Sequence, residues 1–298
     1  MQLNSISIPT LSVASAKFKA YFELLKFRLS FLVAFSGGIG FVLASTGNID
    51  WIKLTLFAIG GFLITGSSNI INQIIEKDLD KLMKRTFARP LPTNRLSISE
   101  ATIFSFIIGA IGLYLLVSCT NVLAALLTII SSILYGFVYT PLKRKGPIAV
   151  FVGAIPGALP PMIGWVAASG NFSFAAFLIF GIQFVWQFPH FWAIAWVLDE
   201  DYQKAGFRLL PAGGAKDTNT AFLIMIYSLC LIPLGLLPYL FGISGINSAV
   251  ITTLAGVLFL AQNIYLMKEC SQKAAMQLMF GSFIYLPVVQ IALVFDKI

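Results

Sequence analysis

Long apolar stretches alternate with short polar ones along the whole chain. A helix needs ~20 apolar residues to cross ~30 Å of hydrocarbon. Nine stretches meet that requirement: 29–45, 52–75, 101–119, 122–142, 148–169, 174–198, 221–241, 249–267 and 274–295. They carry Gly and Ala and lack the every-second-residue alternation of outer-membrane strands, so they predict helices. The expectation is an all-α integral membrane protein, a bundle of nine transmembrane helices forming one domain over residues 1–298.

The polar intervals are unequal. Those at 47–50, 120–121, 170–173 and 243–247 are very short, whereas 76–98 and 199–219 are long, charged and punctuated by Pro, Gly and Thr. Long loops of specific composition are where function concentrates, so both are expected to be active-site loops. Within segment 1–25, Phe18, Tyr21, Phe22, Leu24 and Leu25 interleave with Lys17, Lys19 and Glu23. That pattern predicts a short helix lying on the inner membrane surface. The segment shows no signal-peptide or transit-peptide pattern.

Composition agrees, at 58% hydrophobic and 11% charged residues, against about 25% charged in soluble domains. The net charge of +8 is a matter of topology and calls for no nucleic-acid partner: eighteen of the twenty Lys and Arg residues fall on alternate loops, leaving Lys53 and Lys297 opposite. The positive-inside rule then places the N-terminus in the cytoplasm and the C-terminus outside. Cys119, Cys230 and Cys270 form no C-x-x-C and predict neither a disulfide framework nor a zinc site.

Six of the twelve acids sit in two stretches, each following a span: Glu76, Asp78 and Asp80, then Asp199, Glu200 and Asp201. Ionisable groups at the end of a span are costly and mark function. On a continuous helix Asn72, Glu76 and Asp80 form one stripe. Such an oxygen set suits Mg²⁺, which is typically held by one or two carboxylates plus substrate phosphates. Lys84, Arg85 and Arg89 beyond it supply partners for a phosphate. The plainer alternative is a solvated helix end with Asp78–Lys81 and Asp80–Lys84 ion pairs. Tyr139 and Lys143, at i,i+4, suit a phosphate oxygen held by a hydroxyl and an ammonium. Gln183, Gln187 and His190 share one face of the sixth span, and Asp201 returns to the same azimuth. His190 is the only histidine and is either a structural residue or part of a cavity wall. The aromatic run from Phe184 to Trp196 is either an interfacial belt, the preferred reading for Trp192 or Trp196, or a ring-lined pocket. Residues 76–92 and 199–211 also echo one another, as a parallel duplication of a four-helix unit would produce.

Taken together, Asn72-x-x-x-Glu76-x-x-x-Asp80, Tyr139-x-x-x-Lys143 and the second acidic cluster resemble the UbiA-type intramembrane prenyltransferases over essentially the whole chain. The stretches 82–92 and 186–192, with Asp199 to Gly206, are similar to the branch of that family that farnesylates heme. The resemblance implies a bundle around a central cavity in the bacterial inner membrane. Its substrates would be farnesyl diphosphate, bound through Mg²⁺, and heme b, which gains a farnesyl group and water to become heme O. It maps the metal and catalytic roles onto Asn72, Glu76 and Asp80, with Asp201 the best match in the second motif. Tyr139 and Lys143 join Arg85 and Arg89 as diphosphate contacts. Trp186, Gln187 and His190 would face the heme, with His190 either ligating its iron or lining the acceptor pocket. Heme A synthase or a terminal oxidase assembly are the implied protein partners. Two departures stand out: Glu76 replaces the usual Asp, and Val197 occupies the first position of the second Asp-x-x-x-Asp, so that Asp199 or Glu200 would have to substitute. The rivals are prenyl transfer to a quinone precursor such as 4-hydroxybenzoate, a secondary transporter and a non-catalytic heme-binding assembly protein.

Overall fold

A computed structural model describes residues 10–298, with side chains from residue 14. The start of the expected surface segment 1–25, residues 1–9, lies outside the described residues. The elements run α1 (Thr10–Leu24), α2 (Phe27–Ala44), α3 (Trp51–Ile75), α4 (Lys77–Asp80), α5 (Ile98–Cys119), α6 (Val122–Ile133) and a π-helical turn (Leu134–Tyr139). There follow α7 (Thr140–Leu142), a 3₁₀ turn (Lys143–Lys145), α8 (Ile148–Ser169), α9 (Phe174–Val197), α10 (Asp199–Lys204), α11 (Thr218–Leu240), α12 (Ile246–Glu269) and α13 (Gln272–Phe295). Among the described residues nine helical stretches are long and apolar enough to cross a membrane, and they coincide with the nine predicted spans. Several begin slightly before the apolar run because a polar residue caps them. Ser97 and Glu100 form a reciprocal capping box at α5, while Asp217 and Ser271 accept the Thr220 and Ala274 amides at α11 and α13.

The most deeply embedded span is α8, which packs against α2, α6 and α9. Pro160 and Pro161 have no N–H to give, which leaves the carbonyls of Pro156 and Gly157 without an intrahelical donor. Ser131 Oγ (3.2 Å) and Gln183 Nε2 (2.8 Å) donate to those oxygens from α6 and α9. In an apolar medium such freed groups must find partners within the protein. Where α2 crosses α8, Gly40 faces the Pro161 backbone and Gly164 faces the Gly37 backbone with no room for a Cβ. Small residues allow backbones to approach this closely. A second polar knot joins α2, α9 and α13: Ser36 Oγ donates to Gln183 Oε1, and Gln290 Nε2 donates to both, each at 2.8 Å.

One sequence expectation fails here. Trp192 and Trp196 are 5% and 0% exposed, so neither belongs to an interfacial belt. Trp192 packs against Phe188 and Tyr227 inside the bundle.

Both acidic loops begin with the same kink. The chain leaves α3 at Glu76 (φ −94°, ψ 5°) and α9 at Leu198 (φ −102°, ψ 12°), then makes one short helix, α4 or α10. α1 is pinned to the first loop and the start of α5. Its Ala20 and Leu24 are buried with Leu91 and Leu96, Lys17 meets Glu100 at 2.6 Å, and Glu23 meets Arg95 at 2.6 Å.

Candidate active site

Asn72, Glu76 and Asp80 remain on one side of the chain despite the kink, because the Asp80 amide still donates to the Glu76 carbonyl at 2.8 Å. All three are at least 95% buried and face one cavity of about 550 Å³. Along α3 that cavity continues past Asn69, Thr65 and Gly61 to Phe57. At ~1.5 Å rise per residue, the wall from Phe57 to Glu76 is roughly 28 Å long. One end is therefore ionic and the remainder chiefly apolar.

The carboxylates are paired at the ionic end. Lys143 Nζ donates to both Glu76 oxygens (2.8 and 3.1 Å), and Arg89 donates to Asp80 Oδ2 at 2.7 Å. The alternative Asp80–Lys84 pair is not made. Asp78, by contrast, is 85% exposed and pairs with Lys81, as a plain solvated helix end would. Arg85 also lines the cavity.

Lys143 reaches Glu76 because the fourth span does not finish as an ordinary helix. A Pro at position 141 disrupts the regular ladder, and Thr140 Oγ1 takes the Tyr135 carbonyl at 2.9 Å. The resulting π turn, a common functional-site irregularity, places Tyr135 and Tyr139 in the wall, stacked at 5.6 Å. The Lys143 ammonium lies over the Tyr139 ring at 4.9 Å. Gly153 leaves the space the Tyr139 ring occupies.

Sequence reasoning missed Lys26, counting it only as topology charge. It precedes α2 in a left-handed conformation (φ 48°), and its Nζ donates to Asn72 Oδ1 at 3.1 Å. It also lines the cavity. Burial, and then the charges of Arg89 and Lys143, push its ammonium well below the usual lysine range. Asn72 is held from its other side by Thr140, to which Nδ2 donates at 3.1 Å.

The second acidic stretch is not brought to the cavity wall. Asp201 accepts the Lys84 amide at 2.9 Å and the Arg85 amide at 3.1 Å, and meets Lys204 at 3.3 Å. Burial opposes its charge, but those two amides and Lys204 outweigh it and hold the carboxyl below the usual range. Asp199 accepts from Gln203 at 2.9 Å, with Lys216 at 4.0 Å, and Glu200 is exposed. Asp201 thus ties the two loops together, and neither it nor Asp199 is among the residues that line the cavity with Glu76 and Asp80. Sequence periodicity could not have shown this, because the partners are backbone amides of a distant loop.

Gln183, Gln187 and His190, which share one helix face by spacing, all line the cavity, and so does Trp186. Gln187 Nε2 donates to the Ala154 carbonyl at 2.9 Å, and Gly157 leaves space for its Oε1. His190 stacks on Trp186 with ring centroids 4.4 Å apart and contacts Ser282 Oγ through Nδ1 at 2.8 Å.

The donor set fits a hard divalent cation. Two carboxylates and an amide oxygen face the same space, and Asp80 Oδ1, fully buried, has no hydrogen-bond partner among the described residues. An orphaned carboxylate oxygen is costly unless something coordinates it.

A helical membrane bundle whose cavity is ionic at one end and apolar beyond has the architecture of an enzyme that handles a lipid with a charged head. Comparison with known proteins agrees: residues 31–286 match the UbiA prenyltransferase family, and the chain belongs to it. It is 57% identical over 284 residues to the protoheme IX farnesyltransferase of Cytophaga hutchinsonii, covering 95% of this chain and 99% of that one. It is 47% identical to the protein of the same name from Christiangramia forsetii, covering 92% of each chain. Among solved structures, a digeranylgeranylglyceryl phosphate synthase superposes with a TM-score of 0.78 at 23% identity, over 94% of this chain and 98% of that one. A UbiA homolog from Archaeoglobus fulgidus, bound to GPP and Mg²⁺, gives 0.64 at 16% identity over 92% and 99%. These two likenesses establish the fold.

Proposed function

We propose that the protein transfers a farnesyl group from farnesyl diphosphate to a vinyl group of protoheme IX, with addition of water, giving heme O and diphosphate. The carrying observation is one cavity lined both by Glu76, Asp80, Lys143, Arg85 and Arg89 and by His190, Trp186 and Gln187. The names borne by its bacterial relatives support the same acceptor.

In this reading Lys26, Lys143, Arg85 and Arg89 bind the diphosphate and stabilise the charge that develops as it leaves. Glu76, Asp80 and the Asn72 amide oxygen would hold Mg²⁺, which supplies further neutralisation of the leaving diphosphate. The loop tie through Asp201 keeps Arg85 at the mouth. The apolar wall takes the prenyl chain and shields the allylic carbon from bulk water. As the C1–O bond breaks, the terminal vinyl carbon supplies its electron pair to C1. The cation left beside the porphyrin is captured by one water, which loses a proton. No strong base is required at the acceptor. The excess of basic residues beside the acidic loops argues for a bacterial inner membrane orientation with these loops in the cytoplasm and the C-terminus outside.

The test is to supply purified protein, Mg²⁺ and farnesyl diphosphate with either heme b or 4-hydroxybenzoate and to follow diphosphate release. Release dependent on heme b alone is expected. Release with 4-hydroxybenzoate while heme b is inert, or no release with either, overturns the reading.

A further inference from the structure

The cavity wall contributed by α9 contains a histidine whose two nitrogens have different surroundings. His190 is 9% exposed, and that exposure opens onto the cavity. Its Nδ1 lies 2.8 Å from Ser282 Oγ. A serine hydroxyl has one proton to donate, and Ser282 gives it to the Met279 carbonyl at 2.6 Å. Ser282 Oγ must therefore accept at His190, so in the neutral ring Nδ1 carries the proton and Nε2 carries a lone pair. Among the described residues Nε2 makes no hydrogen bond.

The ring is also held in orientation. Trp186 stacks on it at 4.4 Å with an 18° interplanar angle, and Phe283 meets it edge-on at 5.0 Å. Trp186 is itself anchored on Ser282, whose carbonyl accepts its indole N–H at 3.1 Å. One residue of α13 thus sets both the tautomer of His190 and the position of the ring stacked on it. A histidine serving only to fill the core would not need an unprotonated nitrogen turned to a cavity. Metal-ligating histidines commonly present one nitrogen while the other donates to a fixed oxygen, and heme iron takes imidazole as an axial ligand.

We propose that Nε2 of His190 is an axial ligand to the iron of the heme acceptor, with Ser282 as the positioning residue that fixes its tautomer; this rests on the reading of heme as acceptor. Iron ligation anchors the macrocycle on the α9 wall, and the remaining walls decide which vinyl group meets the prenyl carbon. The residue acts on acceptor binding and not on diphosphate departure.

The chain's single histidine makes the test direct, since in untagged protein every protein-derived imidazole signal belongs to His190. Resonance Raman spectra of the ferrous heme complex should show an iron–imidazole stretch in the wild type. It should vanish in His190→Ala and return on adding free imidazole. Ser282→Ala should keep the stretch at a shifted frequency and weaken heme binding ~10–100-fold. Absence of the stretch from wild-type protein that binds and farnesylates heme overturns the ligand assignment and leaves the farnesyltransferase reading intact. So does a His190→Ala spectrum identical to wild type. Wild-type protein that neither binds heme nor releases diphosphate with it overturns both together.

Discussion

The fully buried carboxylate of Asp80 and the guanidinium of Arg89 meet at 2.7 Å, across a loop that folds back on the end of its own helix. The pair uses Asp80 Oδ2 and leaves Oδ1 buried without a partner among the described residues. The same carboxylate can thus hold a cation while fixing an arginine that faces a diphosphate. Asp80→Asn preserves the shape and removes the charge. Its turnover should fall by about 10²–10³-fold, the usual cost of losing one electrostatic stabiliser, and excess Mg²⁺ should not restore it. Near-normal turnover, measured as diphosphate release, would remove Asp80 from the site.

Lys26 is expected to act on binding of the donor. Lys26→Met should raise the KM for farnesyl diphosphate about tenfold or more, as loss of one charge-assisted contact of ~1.5–3 kcal/mol implies. The KM for the acceptor should not change. An unaltered donor KM in steady-state assays would return Lys26 to a topological role.

Asp201, a metal ligand by resemblance alone, joins the two loops in the structure. As a tie between loops, Asp201→Asn should loosen the Lys84 and Arg85 amides, seen as faster hydrogen exchange there, and leave the Mg²⁺ concentration for half-maximal activity unchanged. A large rise in that concentration with unchanged exchange would make Asp201 a metal ligand instead.

Crowding at the α2–α8 crossing gives a stability prediction. Gly164→Ala places a methyl group against the Gly37 backbone, where nothing flexible can yield. Overpacking of this kind costs about 1–3 kcal/mol or more, so thermal unfolding in detergent should shift downward. Gly61→Ala, which meets open space inside α3, is the control and should not lower the transition.

At the opposite end of the bundle Asp296 ties the C-terminal residues to the start of α12. Its carboxylate accepts the Ser248 amide at 2.6 Å and the Asn247 side chain at 2.9 Å, and these contacts hold its carboxyl below the usual range. A depressed carboxyl contributes stability above its unfolded pKa of about 3.9, and that contribution is lost as pH falls through the lower folded value. The protection factor of the Ser248 amide, the intrinsic exchange rate at the same pH divided by the observed one, should therefore be flat from neutrality to about pH 5 and fall only below about pH 4. A fall near pH 6 would contradict the assignment.

What the sequence made legible was what helical periodicity and bilayer thickness dictate. Nine runs gave nine spans, and a 3.6-residue period kept Asn72, Glu76 and Asp80 in one column even though the helix kinks at Glu76. Gln187 and His190 were found the same way. The missing parts depend on contacts between distant segments. Asp201 finds backbone amides more than a hundred residues away, which no periodicity encodes. Lys26 is one lysine among many on its side of the membrane, and only its left-handed backbone turns it inward. The interfacial reading of Trp192 and Trp196 failed because an aromatic near the end of a span looks alike whether it faces lipid headgroups or a neighbouring helix.

The central claim is that one cavity joins a farnesyl carbon to a heme vinyl carbon and that water completes the product. Incubating the purified protein with heme b, farnesyl diphosphate and Mg²⁺ in ¹⁸O-labelled water, then weighing the extracted heme by mass spectrometry, tests each part of it at once. The expected product is a heme heavier by one farnesyl group and one hydroxyl carrying the label. Unmodified heme, or a farnesylated heme without the labelled oxygen, would contradict it.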